Sequence, residues 1–276
     1  MARPKSYRYK FPPKHKFKKL KEKQRRSKLN NILDIIENSS SVKEAKQKIE
    51  NVSYRDINKI ERRTFQQSRS SDWYYYRKGI ITSTLTKRID TFFNTGHLSI
   101  ERINEAITKR KQTTLNYPAI VYGRESEPLA IADFFSQFKK SHPCAKLTKV
   151  GLKLHKDLKF FGGSADALVS YKHQNCTKTF VLEIKAPYRL KDKSIVKNWG
   201  ILEYLTKDGS LKRNHPHFYQ LQCYLGLFNL PSAYFVIWSK VDFLSISVDF
   251  DKDFYDNICQ NVKTYYFKHY LPVIVN

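Results

Sequence analysis

Residues 179–186 constrain the fold more than any other part of this 276-residue chain, because their side chains alternate as in a β-strand. The run reads Thr-Phe-Val-Leu-Glu-Ile-Lys-Ala, and its even-numbered residues would pack into a core. Glu183 and Lys185 would share the other face, two opposite charges inside an apolar strand. On this run alone, an edge strand with a solvated polar face explains the pair as well as a functional site does.

A second acidic residue, Asp166, lies 17 residues before Glu183. Residues 173–176 between them (His-Gln-Asn-Cys) have the composition of a turn. An antiparallel hairpin would bring Asp166 beside Glu183, and the two glycines before Asp166 let the backbone bend or approach a ligand closely. We therefore predict two carboxylates and the Lys185 ammonium at one end of a hairpin.

Two carboxylates and a lysine are the groups that hydrolysis of a phosphodiester requires. Asp166 and Glu183 would hold Mg²⁺, a hard cation that prefers oxygen ligands. Such a metal polarises the phosphate and lowers the pKa of a bound water. Lys185 would orient that water or offset the charge that develops on the phosphate. The set predicts metal-dependent cleavage without a covalent nucleophile.

A further acid follows Gly123 in the run Gly-Arg-Glu-Ser-Glu, where either Glu125 or Glu127 could reach the metal. Pro128 suits the first turn of a helix, so we predict a helix over residues 123–140 with Glu127 near its start. An acid that the helix dipole favours explains Glu127 equally well.

The charge balance indicates a polyanionic partner. The chain has 51 Lys and Arg against 25 Asp and Glu, a net charge of +26, and nucleic acid is the first candidate. Hydrophobic residues make up 41 %, which suits a globular core. No run reaches 18 apolar residues, and the basic N-terminal residues lead into no apolar stretch. We therefore expect neither a membrane span nor a secretory signal.

The four cysteines form no C-x-x-C pair, so a structural zinc or iron–sulfur site is not indicated. We expect free, buried thiols in a reducing compartment, and hence an intracellular protein.

Three parts are predicted along the chain: a basic arm over residues 1–30, a helical segment over 31–70 and the main domain over 71–276. The arm holds 13 Lys and Arg and one acid, Glu22. It could contact the DNA backbone, act as a nuclear localisation signal if the host is eukaryotic, or be a solvated tail.

Periodicity predicts an α/β fold. Ser41 and Glu44 would form a capping box at one helix start. The expected helices cover residues 42–49, 56–67, 85–93, 100–111, 123–140, 217–229 and 254–270, and strand-like runs cover 146–155, 160–171, 179–186, 233–239 and 244–250.

Five short motifs in order resemble the PD-(D/E)XK nucleases, specifically the branch of the YqaJ viral recombinase and phage lambda exonuclease. The first, Trp73-Tyr-Tyr-Tyr-Arg77-Lys-Gly-Ile-Ile-Thr-Ser-Thr84, resembles W-x-x-x-R-x-x-x-I-T-A-S. In the family its arginine and final hydroxyl contact the 5′ phosphate of a DNA end. The resemblance gives these roles to Arg77 and Thr84, with Thr in place of Ser.

The other motifs fall on the residues already singled out. The run 123–127 resembles G-x-x-x-E, which selects Glu127 over Glu125. Residues 163–166 carry Ala before Asp166 where the family usually has Pro, and Ser164 takes a position that can touch phosphate. Residues 183–187 resemble E-x-K-C-P with Ala for Cys. Finally, a Q-x-x-x-Y spacing favours Gln220, with Tyr224, over Gln222 as the glutamine facing the site.

The resemblance implies a restriction-endonuclease-like fold, a central mixed β-sheet flanked by helices and preceded by the helical segment and basic arm. It implies a catalytic set, a metal-binding set and a phosphate-binding set. The catalytic set is Glu127, Asp166, Glu183, Lys185 and Gln220. The metal-binding set is Asp166, Glu183 and Ile184, and the phosphate-binding set is Arg77, Thr84 and Ser164.

The resemblance also implies Mg²⁺, for which Mn²⁺ substitutes, and a 5′→3′ exonuclease acting on double-stranded DNA ends in recombination or repair. A ring-shaped trimer in the lambda-like branch makes a homo-oligomer an expectation, and a single-strand annealing protein is an expected partner. The alternatives are an endonuclease or structure-specific nuclease, a non-catalytic DNA-binding protein, and a basic RNA-binding or ribosome-associated protein.

Overall fold

The computed structural model describes residues 29–108, 117–174 and 176–275. Residues 1–28 of the predicted basic arm and residues 109–111 of the predicted helix over 100–111 lie outside these ranges. The described residues form two β-sheets and a set of helices. The strands are β1 (Ile81–Thr82), β2 (Lys146–Thr148), β3 (Lys153–Leu154), β4 (Phe161–Gly163), β5 (Ala167–His173), β6 (Cys176–Lys185), β7 (Ser232–Trp238) and β8 (Phe243–Asp249). The helices are α1 (Ile32–Glu37), α2 (Val42–Glu50), α3 (Tyr54–Arg63), α4 (Ser71–Tyr76), α5 (Thr86–Thr95), α6 (Ile100–Thr108), α7 (Pro118–Ser141), α8 (Ile195–Asn198), α9 (Pro216–Phe228), α10 (Lys252–Tyr265) and α11 (Leu271–Val275), the last two joined by a π-helical turn.

The larger sheet has the strand order β2-β5-β6-β7-β8, with β6 in the middle. Strand β6 pairs antiparallel with β5 and parallel with β7, so the sheet is mixed. The hairpin of β5 and β6 runs from the pair Ala167↔Leu182 to the pair His173↔Cys176, which confirms the predicted hairpin. Because β6 is central, the solvated edge strand considered for Glu183 and Lys185 is excluded.

Helices cover both faces of this sheet. Phe180 and Leu182 of β6 pack against Ala130 and Phe134 of α7 on one face. On the other face, Val181 packs in a second core cluster that includes much of α9. A strand buried on both faces has no room for an unpaired charge, so Glu183 on the α9 face needs a specific environment.

A smaller sheet, β1-β4-β3, adjoins a third core. This core joins Ile36 and Ile57 of the N-terminal helices to Ile81 of β1 and Tyr266 of the π-helical turn. The Tyr266 hydroxyl donates to the Gly79 carbonyl oxygen over 2.7 Å. Helices α1–α3 therefore share their core with later parts of the chain.

The strands predicted over residues 146–155 and 160–171 are wrong as continuous elements. Each divides into two strands that belong to different sheets. At the first break, a Cβ on Gly151 would lie 1.9 Å from the Glu61 carbonyl oxygen, so the chain passes directly against α3 there. At the second break, Ser164 and Asp166 leave the sheet pairing and bond with Trp73 and Ile184.

The predicted start of the helix near Gly123 is also wrong. Helix α7 begins at Pro118, which takes the first-turn position, and Pro128 lies inside the helix. Pro128 has no main-chain N–H to donate within the helix, and the helix continues with Ala130 and Phe134 buried in the core. Glu127 thus lies in mid-helix, beyond the reach of the helix dipole.

All four cysteines are free, as expected, but Cys144 and Cys176 are exposed rather than buried. Within the described ranges, no helix combines the length and apolarity needed to span a bilayer.

Candidate active site

The hairpin places Asp166 and Glu183 side by side at the end of β6. Asp166 directly precedes β5, and its Oδ2 accepts a hydrogen bond from the Ile184 main-chain nitrogen over 2.7 Å. On the same strand, Lys185 Nζ donates to Glu183 Oε1 over 2.5 Å. The two carboxylates and the lysine predicted to meet at one end of the hairpin therefore do so.

Helix α9 contributes the amide that completes this cluster. Gln220 Nε2 donates to Glu183 Oε1 over 2.9 Å and to the Tyr224 hydroxyl over 2.7 Å. Gln222 points elsewhere: it donates to the Asp249 carbonyl oxygen and accepts from the Asp251 main-chain nitrogen, each over 2.8 Å. Of the two glutamines that the sequence offered, Gln220 is the one in contact with the carboxylates.

Glu127 reaches the same region from α7, whereas Glu125 is exposed. Glu127 and Asp166 line a cavity of about 340 Å³. The other residues that line it are Phe65, Gln66, Gln67, Ser68, Arg69, Arg124 and Lys149. The sequence did not indicate these other residues. Arg69, Arg124 and Lys149 are three of 51 basic residues, and only the fold brings their segments together.

Burial, and then the proximity of the carboxylates to one another, disfavours their ionised forms. Burial, together with the charge of Asp166, raises the pKa of Glu183 to about 8, although Lys185 opposes the rise. Burial and Asp166 likewise raise the pKa of Glu127 to about 7. Burial raises the pKa of Asp166 as well, against the opposing effects of Lys185 and the Ile184 N–H. An additional cation would stabilise all three ionised carboxylates.

Lys185 keeps its proton in this setting. Burial lowers the pKa of Lys185, but the charges of Glu183 and Asp166 outweigh that effect and the net shift is upward. The ammonium is therefore available as a fixed positive charge rather than as a base.

The site fits a divalent cation with oxygen ligands. Glu183 Oε2 is buried and has no hydrogen-bond partner among the described residues. Ile184 has an apolar side chain, so only its carbonyl oxygen could be a metal ligand. Among the residues that the structure describes, no group of three or more His, Cys, Asp or Glu side chains is arranged to hold a metal. Asp166, Glu183 and one carbonyl would leave the remaining positions to water, a pattern that suits Mg²⁺.

Of the three residues predicted to bind phosphate, Arg77 and Ser164 both contact Trp73. Its indole Nε1 donates to Ser164 Oγ over 2.9 Å, and the Arg77 guanidinium stacks 3.8 Å from the centre of its ring. Trp73 thus links Arg77 to the segment that carries Asp166. Thr84 is exposed in the turn Ser83–Leu85, and its hydroxyl lies 3.0 Å from that of Thr82.

Comparisons with known proteins identify a family for the chain and structures of similar fold. Residues 72–228 match the family profile of the YqaJ-like viral recombinase domain. No curated protein matches the sequence.

Among solved structures, an alkaline exonuclease (LHK-Exo) from Laribacter hongkongensis is similar, with a TM-score of 0.54 and 20 % identity over 75 % of this chain and 94 % of that one. The same enzyme in complex with dAMP gives a TM-score of 0.54 and 17 % identity with the same coverage. A SOX–DNA complex gives a TM-score of 0.50 and 12 % identity over 77 % of this chain and 70 % of that one. At these identities the likenesses concern the fold, and they confirm the predicted mixed sheet flanked by helices.

Proposed function

Because the chain belongs to the YqaJ-like viral recombinase family, we propose that it is a metal-dependent deoxyribonuclease that degrades double-stranded DNA from its ends. The observation that carries the proposal is the cluster of Asp166, Glu183 and Lys185, in which Glu183 is buried and one of its oxygens lacks a hydrogen-bond partner among the described residues. An alkaline exonuclease and a DNA complex among the similar structures support DNA as the substrate.

Asp166, Glu183 and the Ile184 carbonyl would hold the cation, Mg²⁺ or in its place Mn²⁺. When bound, the cation supplies Lewis acidity that polarises the phosphate and makes a water more acidic. Asp166 is ready for this role because the Ile184 N–H already fixes one of its oxygens. Glu183 presents the oxygen that Lys185 and Gln220 leave unbonded.

Lys185 acts as the fixed positive charge of the reaction. Its ammonium donates to Glu183 Oε1, which holds it beside the carboxylates. From there it orients the attacking water and offsets the negative charge that develops on the phosphate in the transition state. Gln220 and Tyr224 hold Glu183 in position from α9, and Glu127 adds a carboxylate from α7.

The 5′→3′ direction rests on the residues around Trp73. Arg77 and Ser164, which Trp73 links, would bind the 5′ phosphate of the strand end, together with Thr84. Arginine suits this task because its guanidinium can donate two parallel hydrogen bonds to phosphate. A site that holds the terminal phosphate beside the carboxylates would cleave from that end.

Two substrates separate this proposal from its alternatives. We expect the protein to degrade linear duplex and to leave covalently closed circular duplex intact, whereas an endonuclease would cut both. On linear duplex labelled at either the 5′ or the 3′ end of one strand, early release of the 5′ label is expected. Cleavage of the closed circle, or early loss of the 3′ label alone, would contradict the proposed activity.

A further inference from the structure

Strand β8 lies at one edge of the larger sheet, outside residues 72–228 that match the family. Natural edge strands are usually protected against pairing with another chain by short length, charged side chains, proline or a bulge. The opposite edge, β2, has this protection, because it spans three residues and carries the exposed Lys146. Strand β8 has seven residues, the first six of which are uncharged and include no proline, and its register with β7 is continuous. The edge at β8 is therefore unprotected.

The main chain of β8 presents hydrogen-bonding groups outward at alternate residues. Just beyond the strand, the Phe250 N–H donates to the Pro231 carbonyl oxygen over 2.9 Å. In an antiparallel ladder, residues bonded to the neighbouring strand alternate with residues whose N–H and C=O point away from it. Even-numbered residues of β8 therefore bond to β7, and Ser245 and Ser247 point outward. Both serines are exposed, and no other element of the described chain bonds to their outward groups.

The end of β8 shows how such outward groups are satisfied elsewhere on the same edge. The Asp249 carbonyl oxygen accepts a hydrogen bond from Gln222 Nε2, and the Asp251 N–H donates to Gln222 Oε1, each over 2.8 Å. The side chain of Gln222 thus bonds to the edge as a neighbouring strand would. The edge is satisfied where it meets α9 and open at Ser245 and Ser247.

Two grooves flank the open part of the edge. The groove on the α7 side has a volume of about 200 Å³, and Ser245 and Phe138 are among the residues that line it. The groove on the α9 side has a volume of about 560 Å³, and its lining includes Ser247, Leu211 and Phe218. Side chains of an added strand point alternately to the two faces of a sheet, so each groove can receive every second side chain.

The groove on the α9 side is acidic, although the whole chain has a net charge of +26. Asp249, Asp251 and Asp253 line it together with two cations. Arg213 pairs with Asp251 over 2.6 Å, and Lys252 pairs with an aspartate outside the groove. In the described ranges, Asp249 and Asp253 form no ion pair within 4.0 Å. The groove therefore repels phosphates and complements a basic segment.

We propose that the outer edge of β8 binds an extended segment of a partner protein as an added antiparallel strand. The segment carries apolar side chains at alternate positions and Lys or Arg at its N-terminal end. Antiparallel pairing is the more stable arrangement, and it sets the N-terminal end of the segment against Asp249 and Asp253. Main-chain hydrogen bonds to Ser245 and Ser247 supply affinity, and the two grooves supply specificity.

A short fluorescent peptide tests the main-chain bonds, measured by anisotropy with the full chain. In this peptide, valine and threonine alternate after a pair of N-terminal lysines. Ser245→Pro removes an outward N–H that is not part of the ladder with β7, so it should weaken binding about fivefold or more. Ser245→Thr keeps the N–H and should bind as the wild type does. Thermal unfolding checks that both variants fold, and Ser247→Pro tests the next outward N–H.

Asp253→Asn tests the charge of the groove in the same assay. It should weaken binding of the lysine peptide about threefold, as expected for one exposed ion pair. It should leave binding unchanged for a second peptide in which glutamine replaces both lysines. Asp157→Asn is the matched control, because Asp157 is exposed and lies outside the groove.

No binding of the lysine peptide by the wild type, or equal binding by a folded Ser245→Pro, would overturn the proposal. Sedimentation equilibrium without peptide tests a second copy of this chain as the occupant of the edge. A wild type that self-associates, and that Ser245→Pro dissociates, would assign the edge to a second copy and overturn the proposal. Self-association that Ser245→Pro leaves unchanged, or a monomeric wild type, together with peptide binding that Ser245→Pro weakens, supports a partner strand.

Discussion

The burial of Glu183 lowers the stability of the fold at a residue that the proposed function requires. Its side chain is 2 % exposed, and Lys185 and Gln220 both bond to Oε1, which leaves Oε2 buried without a partner among the described residues. A buried, incompletely bonded carboxylate lowers the free energy of unfolding, so the arrangement is costly in the metal-free protein. Such local conflicts are typical of functional sites, because the same charge that strains the fold is needed to bind a cation.

The raised pKa of Glu183 predicts how stability changes with pH. Between the ordinary glutamate pKa of 4.5 and the folded value of about 8, the unfolded chain is ionised while the folded site keeps its proton. The unfolded state then binds fewer protons, so the free energy of unfolding of the metal-free protein should fall as pH rises through this window. In Glu183→Gln the decline of Tm with pH should be shallower, as measured by thermal unfolding in EDTA at several pH values.

Added Mg²⁺ provides the control for that experiment. It should raise the Tm of the wild type at pH 8 and have much less effect on Glu183→Gln. Parallel pH profiles of Tm for the two proteins would contradict the assignment of the shift to Glu183.

Glu127 and Glu125 form a matched pair within one helix. Glu127 lines the cavity with Asp166, whereas Glu125 is exposed. We expect Glu127→Gln to lower kcat on linear duplex by about 100-fold or more, because it removes a charge that belongs to the site. Glu125→Gln should retain nearly full activity. Equal kcat values for the two variants would remove Glu127 from the catalytic set.

The sequence allowed part of this site to be predicted because local rules apply to it. The 17-residue spacing and a turn sufficed to place Asp166 beside Glu183, since a hairpin has a fixed register. Arg69 and Lys149 could not be predicted, because they come from separate segments and each resembles many other basic residues. The Q-x-x-x-Y spacing favoured Gln220 over Gln222, and in the structure Gln220 bonds to Glu183 whereas Gln222 bonds to the main chain of Asp249 and Asp251.

At the scale of elements, local signals placed the helices better than the strands. Ser41 accepts a hydrogen bond from the Glu44 main-chain nitrogen over 3.2 Å and begins α2, as predicted. In a capping box the Glu44 carboxylate would accept a hydrogen bond from the Ser41 main-chain nitrogen. Here it accepts from the Ser40 main-chain nitrogen instead. Strand breaks near Gly151 and Ser164 were missed because they depend on contacts with α3 and Trp73, which lie far away in sequence.

Glycines in two helices give a test of packing. A Cβ on Gly226 in α9 would lie 2.2 Å from the Tyr255 ring of α10, so Gly226→Ala should destabilise the protein by about 1 to 3 kcal/mol. A Cβ on Gly123 in α7 would have no neighbouring atom within 4 Å, so Gly123→Ala should stabilise the protein by about 0.5 to 1 kcal/mol. Urea unfolding monitored by circular dichroism measures both. A loss of stability in Gly123→Ala equal to that in Gly226→Ala would contradict the close contact between α9 and α10.

At the scale of the whole molecule, the net charge of +26 should govern DNA affinity. Each phosphate contact contributes about −0.9 to the slope of log affinity against log salt on duplex DNA. With six or more contacts, affinity should fall by about three orders of magnitude between about 50 and 200 mM salt. Titration of a labelled duplex at several salt concentrations measures this, and an affinity that is independent of salt would contradict a role for the charge.

The central claim is that Asp166 and Glu183 form the metal site of a DNA-degrading enzyme. The most direct measurement is release of nucleotides from 5′-phosphorylated linear duplex in Mg²⁺, with Asp166→Ala and EDTA as comparisons and thermal unfolding as the check on folding. We predict release by the wild type, none in EDTA, and a rate about three orders of magnitude lower in Asp166→Ala. No release by the wild type, or undiminished release by a folded Asp166→Ala, would contradict the claim.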